Sequence, residues 1–155
     1  MGKIGEQLLK RFLIKQGYQV NPITPWNAKD EKKKYTIEQR IERANKTVFS
    51  PDMLVCIDKE HAFFADAKLK GYKNCNGWIN KRDYDKYFHV IRSTSFIGFR
   101  IYFIIKETHE IYVLNKLIDP KDFPITQQSD GEVYVIPAEN LVKIGDYPKP
   151  RTTKA

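Results

Sequence analysis

Apolar positions in the first fifteen residues recur with a helical period. Ile4, Leu8, Leu9, Phe12 and Leu13 fall on one stripe, and Gly17 follows as a stop, so Gly2 to Gln16 reads as an amphipathic helix. A strand begins at Tyr18 to Val20. The period then changes to that of strands. Asp52 to Ile57 and His61 to Lys68 are apolar runs on either side of Asp58-Lys59-Glu60, the spacing of a hairpin with a three-residue loop. Helical spacing returns over Lys81 to Thr94, with Tyr84, Tyr87, Phe88 and Ile91 on one side. Phe99 to Ile105 and Ile111 to Leu117 are β-branched and aromatic, Glu132 to Ile136 is a last strand, and Pro137 opens a short helix from Ala138 to Ile144. Between Asn21 and Thr47 the pattern is polar, with Pro22, Pro25 and a lysine run. Within it Thr36 and Gln39 form a capping box over a thin stripe of Ile37, Ile41 and Ala44. The expectation is one α/β domain over residues 1–146 with a mixed sheet, an insertion at about 21–47 and a loose tail at 147–155.

At 155 residues the chain is long enough to bury a core without disulfide or metal staples. Its 41% hydrophobic and 13% aromatic content argues against a disordered basic tail. Cys56 and Cys75 have no paired metal-ligand spacing, which fits a reducing, cytoplasmic setting. The longest apolar run, Ile101 to Ile105, falls far short of the roughly 20 residues that span a bilayer, so no membrane role is expected.

The formal charge is +8, and its distribution carries the information. Lys29 to Lys46 contributes +3 and Lys68 to Arg92 contributes +5, while the remainder balances. The second stretch interleaves its cations with Tyr72, Trp78, Tyr84 and Tyr87, a composition suited to a polyanion through phosphate contacts. Lys70, Lys73, Lys81, Arg82 and Lys86 are the candidate nucleic-acid contacts. The plain alternative is a solvated lysine-rich face.

Candidate chemistry comes from register. A hairpin symmetric about Lys59 pairs Leu54 with Phe64 and brings Asp52 opposite Asp66. Lys68 then shares a face with Asp66, while Met53, Val55, Phe63 and Ala65 point the other way. Opposed residues have Cβ atoms about 4.5–5.5 Å apart, so two carboxylates would repel unless a cation joins them. A hard ion such as Mg²⁺ accepts one or two carboxylates with waters and a phosphate, and an adjacent ammonium can orient water or neutralise charge. A one-residue slip would turn Asp52 away. The alternatives are Asp52 as a cap on a strand entry and Asp66 with Lys68 as a surface ion pair.

Ser50-Pro51-Asp52, with Asp66-Ala67-Lys68 at the end of the next strand, resembles the signature of the PD-(D/E)XK nuclease superfamily. The helix-strand-hairpin-helix-strand order resembles its restriction-endonuclease-like core, and Gly5-Glu6 with Phe12-Leu13 and Gly17-Tyr18 is similar to the first helix of its Holliday junction resolvases. The resemblance implies that Asp52, Asp66 and the main-chain carbonyl of Ala67 bind Mg²⁺, with Mn²⁺ as a substitute. It also implies that Lys68 acts on the attacking water and that Glu6 is an auxiliary ligand or base. Where many members carry a glutamine or lysine on the following helix, this chain offers only Lys86 or Tyr87. The expected activity is metal-dependent endonucleolytic hydrolysis of DNA, structure-specific or weakly sequence-specific, of a recombination, repair or phage type, carried out by a homodimer. A non-catalytic nucleic-acid-binding module of the same fold, and an RNA-directed nuclease, are the alternatives.

Overall fold

In the computed structural model the described residues are 2–23, 36, 51–69, 71–93, 97–129 and 131–146. The first helix, α1 (Gly2–Lys15), buries Leu9, Phe12 and Leu13, whereas Ile4 lies beyond the packed surface and is exposed. It ends as the sequence predicts. Gly17 takes φ 89°, the Tyr18 N–H donates to the Leu13 carbonyl and the Gly17 N–H to that of Ile14, closing the last turn.

The main sheet contains β1 (Gln19–Pro22), β2 (Met53–Cys56), β3 (Ala62–Lys68), β6 (Gly98–Ile104), β7 (Glu110–Leu114) and β10 (Val142–Asp146), in the order β1-β2-β3-β6-β7-β10. Only β3 and β6 are parallel. A parallel pair needs a crossover, and here it carries β4 (Tyr72–Lys73), β5 (Asn76–Asn80) and α2 (Lys81–Ile91). The strands β4 and β5 join β8 (Ile125–Gln128) and β9 (Gly131–Ile136) in a second, antiparallel sheet of order β4-β5-β9-β8.

The main sheet separates two apolar clusters. On one face Leu9, Phe12 and Leu13 pack with Met53, Val55, Phe63, Ala65, Tyr102 and Ile104. On the other, Phe99, Ile101 and Phe103 meet Tyr84 and Tyr87 of α2 and Ile79, Tyr134 and Ile136 of the second sheet. The fold is therefore α/β with a mixed central sheet and a helix packed on each face. α2 is anchored at its N-terminal end. Asn80 caps it by accepting from the Arg82 N–H at 2.9 Å, and the Tyr84 hydroxyl both donates to the Ile118 carbonyl and accepts from its N–H.

Two sequence expectations change. The predicted helix from Ala138 to Ile144 is a single 3₁₀ turn, Ala138–Asn140, and the chain then runs extended as β10 against β7. Val142 and Ile144 favour a strand, and the edge of β7 supplies the backbone partners that a short helix would lack. The second sheet is the other departure. Its β4–β5 hairpin turns at Asn74 and Cys75, both with positive φ, without the glycine that usually marks such a turn. The capping-box helix predicted from Thr36 lies outside the described residues, Thr36 itself excepted, as does the tail at 147–155. No helix among the described residues is long and apolar enough to cross a membrane.

Candidate functional site

The β2–β3 hairpin has the predicted register, with Leu54 opposite Phe64 and Met53 opposite Ala65. The Ile57 N–H donates to the His61 carbonyl at 2.9 Å and closes the predicted loop Asp58-Lys59-Glu60, where the Asp58 carboxylate turns back to accept from the N–H groups of Glu60 and His61. The ladder of β2 stops at Met53. One residue earlier, Asp52 replaces the missing backbone partner with its side chain, and its Oδ2 accepts from the Ala67 N–H at 2.8 Å. That bond fixes the carboxylate at the end of β3. A residue's N–H and C=O leave a strand on the same edge, so the Ala67 carbonyl also faces Asp52.

Alternation along β3 sends Ala65 and Ala67 to the α1 face and Asp66 to the α2 face. There Asp66 is 2% exposed, next to Ile101 in the β6 register, the only charged side chain in the buried core of the described residues. Three groups meet it. Its carboxyl shares a hydrogen bond with that of Asp52, and the Tyr87 hydroxyl of α2 donates to it. Lys68 Nζ, on a side chain 28% exposed, lies 2.9 Å from Asp66 Oδ2. That oxygen is buried and has no aligned hydrogen bond, only the ion pair.

The electrostatics follow from burial. Desolvation pushes Asp66 up to about 7 against the pull of Lys68, and the neighbouring Asp52 pushes it the same way. Desolvation also raises Asp52; the bonds from Asp66 and Ala67 oppose it, while the charge of Glu6 adds to it. For Lys68 burial disfavours the ammonium, but Asp66, Asp83 and Asp52 outweigh it and hold the group firmly protonated. Burial raises the Tyr87 phenol as well, so it stays a donor.

The sequence-predicted residues are thus unequally gathered. Asp52 bonds both Asp66 and Ala67, and Lys68 pairs with Asp66. Glu6 reaches them only as a charge acting on Asp52. Its helix comes close because Gly5 abuts Leu69, where an added Cβ would lie 3.2 Å from the Leu69 Cβ. Among the described residues no three His, Cys, Asp or Glu side chains form a compact ligand set. The two carboxylates still suit a hard divalent ion, which needs only one or two protein carboxylates when phosphate and water complete its shell. The Asp66 Oδ2, held only by its ion pair with Lys68, is a donor atom of the right kind.

Neither the family models nor the curated proteins searched match this sequence.

Of the candidate nucleic-acid contacts, Lys73 is exposed with its ammonium 5.1 Å over the Trp78 ring. Lys81 pairs with Asp85 at 3.0 Å, and Arg82 lies 3.9 Å from Asp83. Lys86 has its ammonium disfavoured by burial, with Asp83 and Arg82 as its charged neighbours, so Tyr87, not Lys86, is the α2 residue that joins the acidic pair. Lys70 lies outside the described residues. Asp83 was not singled out from sequence, because a carboxylate in a helix's first turn is adequately explained by the helix dipole. Only the fold brings its charge to Lys68.

Proposed function

We propose that this protein is a Mg²⁺-dependent endonuclease that hydrolyses DNA phosphodiester bonds, with the restriction-endonuclease-like arrangement of the PD-(D/E)XK superfamily. The observation that carries the reading is the junction of Asp52, Asp66 and Lys68 at the end of β3: two carboxyls sharing a hydrogen bond, with an ammonium 2.9 Å from the inner one. A purely structural role would not favour burying a second acid against the first, since Asp52 disfavours ionisation of the buried Asp66.

On this reading Asp52, Asp66 and the Ala67 carbonyl hold the ion, and Mn²⁺ substitutes for it. When bound, the ion supplies Lewis acidity toward the phosphate. Asp66 must be ionised to act as a ligand, which its raised pKa opposes in acid and permits above neutrality. The Lys68 ammonium, kept protonated by three carboxylates, offsets charge that accumulates on the phosphate and orients the attacking water. Tyr87 steadies Asp66 through its hydroxyl, and Glu6 adds negative potential beside Asp52. Two such sites in a homodimer would cut both strands.

The test is a cleavage panel with Mg²⁺ or Mn²⁺ on plasmid, single-stranded, flap, four-way-junction and RNA substrates, run with wild type, Asp66→Ala and Lys68→Ala. DNA cleavage that both substitutions abolish is the expected result. Binding without cutting would favour a non-catalytic module, and cleavage confined to RNA would move the substrate.

A further inference from the structure

At the opposite end of β3 from the acidic pair lies an open cavity of about 700 Å³. It is formed by the β2–β3 loop, the C-terminal turn of α2, the start of β6 and the segment after β7. Phe63, at its floor, is three residues from Asp66, about 10 Å along the strand. The cavity falls in the size range of small-molecule sites.

Its charges are one-sided. Arg92, Arg100 and Lys116 line it, and none of them has a carboxylate partner among the described residues; Glu60 is the single acidic group in the lining. The contrast with α2 is informative, because Lys81 and Arg82 lie against Asp85 and Asp83. Arg92 also complements the C-terminal end of α2, which leaves Arg100 and Lys116 without a structural explanation of that kind. Arg100 is held in place: its guanidinium lies 4.0 Å over the Phe63 ring and bonds the Tyr102 hydroxyl. A cation fixed in this way presents its remaining donors at low entropic cost.

Much of the rest of the wall is apolar, His61, which is paired with Asp58 at 2.8 Å, being an exception. Phe88, Ile91 and Ile97 are half-buried there, over the buried Phe99, and Asn115 adds a neutral amide. A bare inorganic anion would use the cations and leave this wall wet. A lipid-like ligand would leave the cations unused. We propose that this cavity binds a nucleotide, its phosphate against Arg100, Lys116 and Arg92 and its base against Phe88 and Ile97. Both a free nucleotide and the terminal nucleotide of a single strand carry that chemistry. The inference does not require hydrolysis at the acidic pair.

The test is a titration followed through backbone amide resonances in the presence of EDTA, so that neither metal nor cleavage enters. The probes are deoxyadenosine monophosphate, adenosine, inorganic phosphate and a 5′-phosphorylated single-stranded hexanucleotide. The monophosphate should shift the amides of Gly98, Arg100, Asn115 and Lys116 and bind more tightly than either adenosine or phosphate alone. Arg100→Gln with Lys116→Gln should weaken it roughly tenfold or more. Lys116→Gln alone, at an exposed position that does not endanger folding, should weaken it by a smaller factor. A hexanucleotide that binds more tightly than the monophosphate identifies a strand end as the source, and the reverse order identifies a free nucleotide. The proposal is overturned if neither probe shifts these amides at millimolar concentration, if Lys116→Gln binds as wild type does, or if phosphate alone binds as well as the monophosphate.

Discussion

Replacing Asp66 by Asn should stabilise the metal-free protein, and should do so more at pH 8 than at pH 5. Asn keeps the shape of the carboxyl and donates to Asp52 as protonated Asp66 does. It is therefore a permanent copy of the neutral acid. In the wild type the folded value is raised from 3.8 to about 7, chiefly by desolvation. A group raised on folding contributes stability that is complete below its unfolded value and is lost as pH climbs through the folded one. At about 1.4 kcal/mol for each factor of ten, the cost of ionisation is about 4 kcal/mol at pH 8. At pH 5 the unfolded chain is ionised and the folded one is not, and the same arithmetic leaves about 2 kcal/mol. The attraction of Lys68 adds nothing further, since the value of about 7 already contains it. Urea denaturation in EDTA at both pH values measures the difference between Asn variant and wild type. An advantage that is larger at pH 8 by about 2 kcal/mol is expected. A variant that is less stable than wild type by the same amount at both pH values would refute the reasoning, because Asp66 would then titrate as an ordinary carboxylate.

Other substitutions separate the neighbouring parts. Lys68→Met removes the attraction that lowers Asp66, so a carboxyl-carbon NMR titration should find Asp66 protonated to higher pH than in wild type, and the proposed cleavage should fall about a hundredfold or more. Tyr87→Phe keeps the ring that stacks on Phe99 at 4.4 Å but loses the bond to Asp66. It should cost about 1–2 kcal/mol in a denaturation curve at pH 8 and move the Asp66 midpoint upward; an unmoved midpoint would show that the hydroxyl does not bond the carboxylate. Gly77→Ala places a Cβ 2.6 Å from the ring of the fully buried Phe103, so a loss of about 1–3 kcal/mol is expected, and unchanged stability would mean that the second sheet shifts freely against the first.

What was legible in the sequence was local or carried by a strict period. Gly17 could be read as a stop because a left-handed residue there closes the helix whatever lies around it. The β2–β3 register could be read because one slip would have exposed Met53, Val55, Phe63 and Ala65 together, and all four are buried. That register is also what brings Asp52 to Asp66. Of the second sheet only β9 was legible, over Glu132 to Ile136, and β10 was not. Ile125 to Gln128 is mostly polar, and Val142 to Asp146 gains its partners from a strand about thirty residues earlier in the chain. The same limit applies to the site. Tyr87 reads as one more aromatic on an amphipathic stripe and Asp83 as a first-turn acid. Their nearness to Asp66 and Lys68 depends on how α2 docks on the sheet, which no spacing within the helix encodes. Lys81 and Arg82 illustrate the converse, since sequence counts charges and the fold sets carboxylates beside them.

The central claim is that Asp52, Asp66 and Lys68 form one hydrolytic centre. Its most direct measurement is the initial rate of Mg²⁺-dependent nicking of supercoiled plasmid by wild type and by Asp52→Ala, Asp66→Ala and Lys68→Ala, each checked for folding by circular dichroism. The account predicts nicking by wild type that EDTA stops and that each folded variant loses alike. Nicking that persists in folded Asp66→Ala, or a wild type that leaves every DNA substrate intact with Mg²⁺ and Mn²⁺, would contradict it.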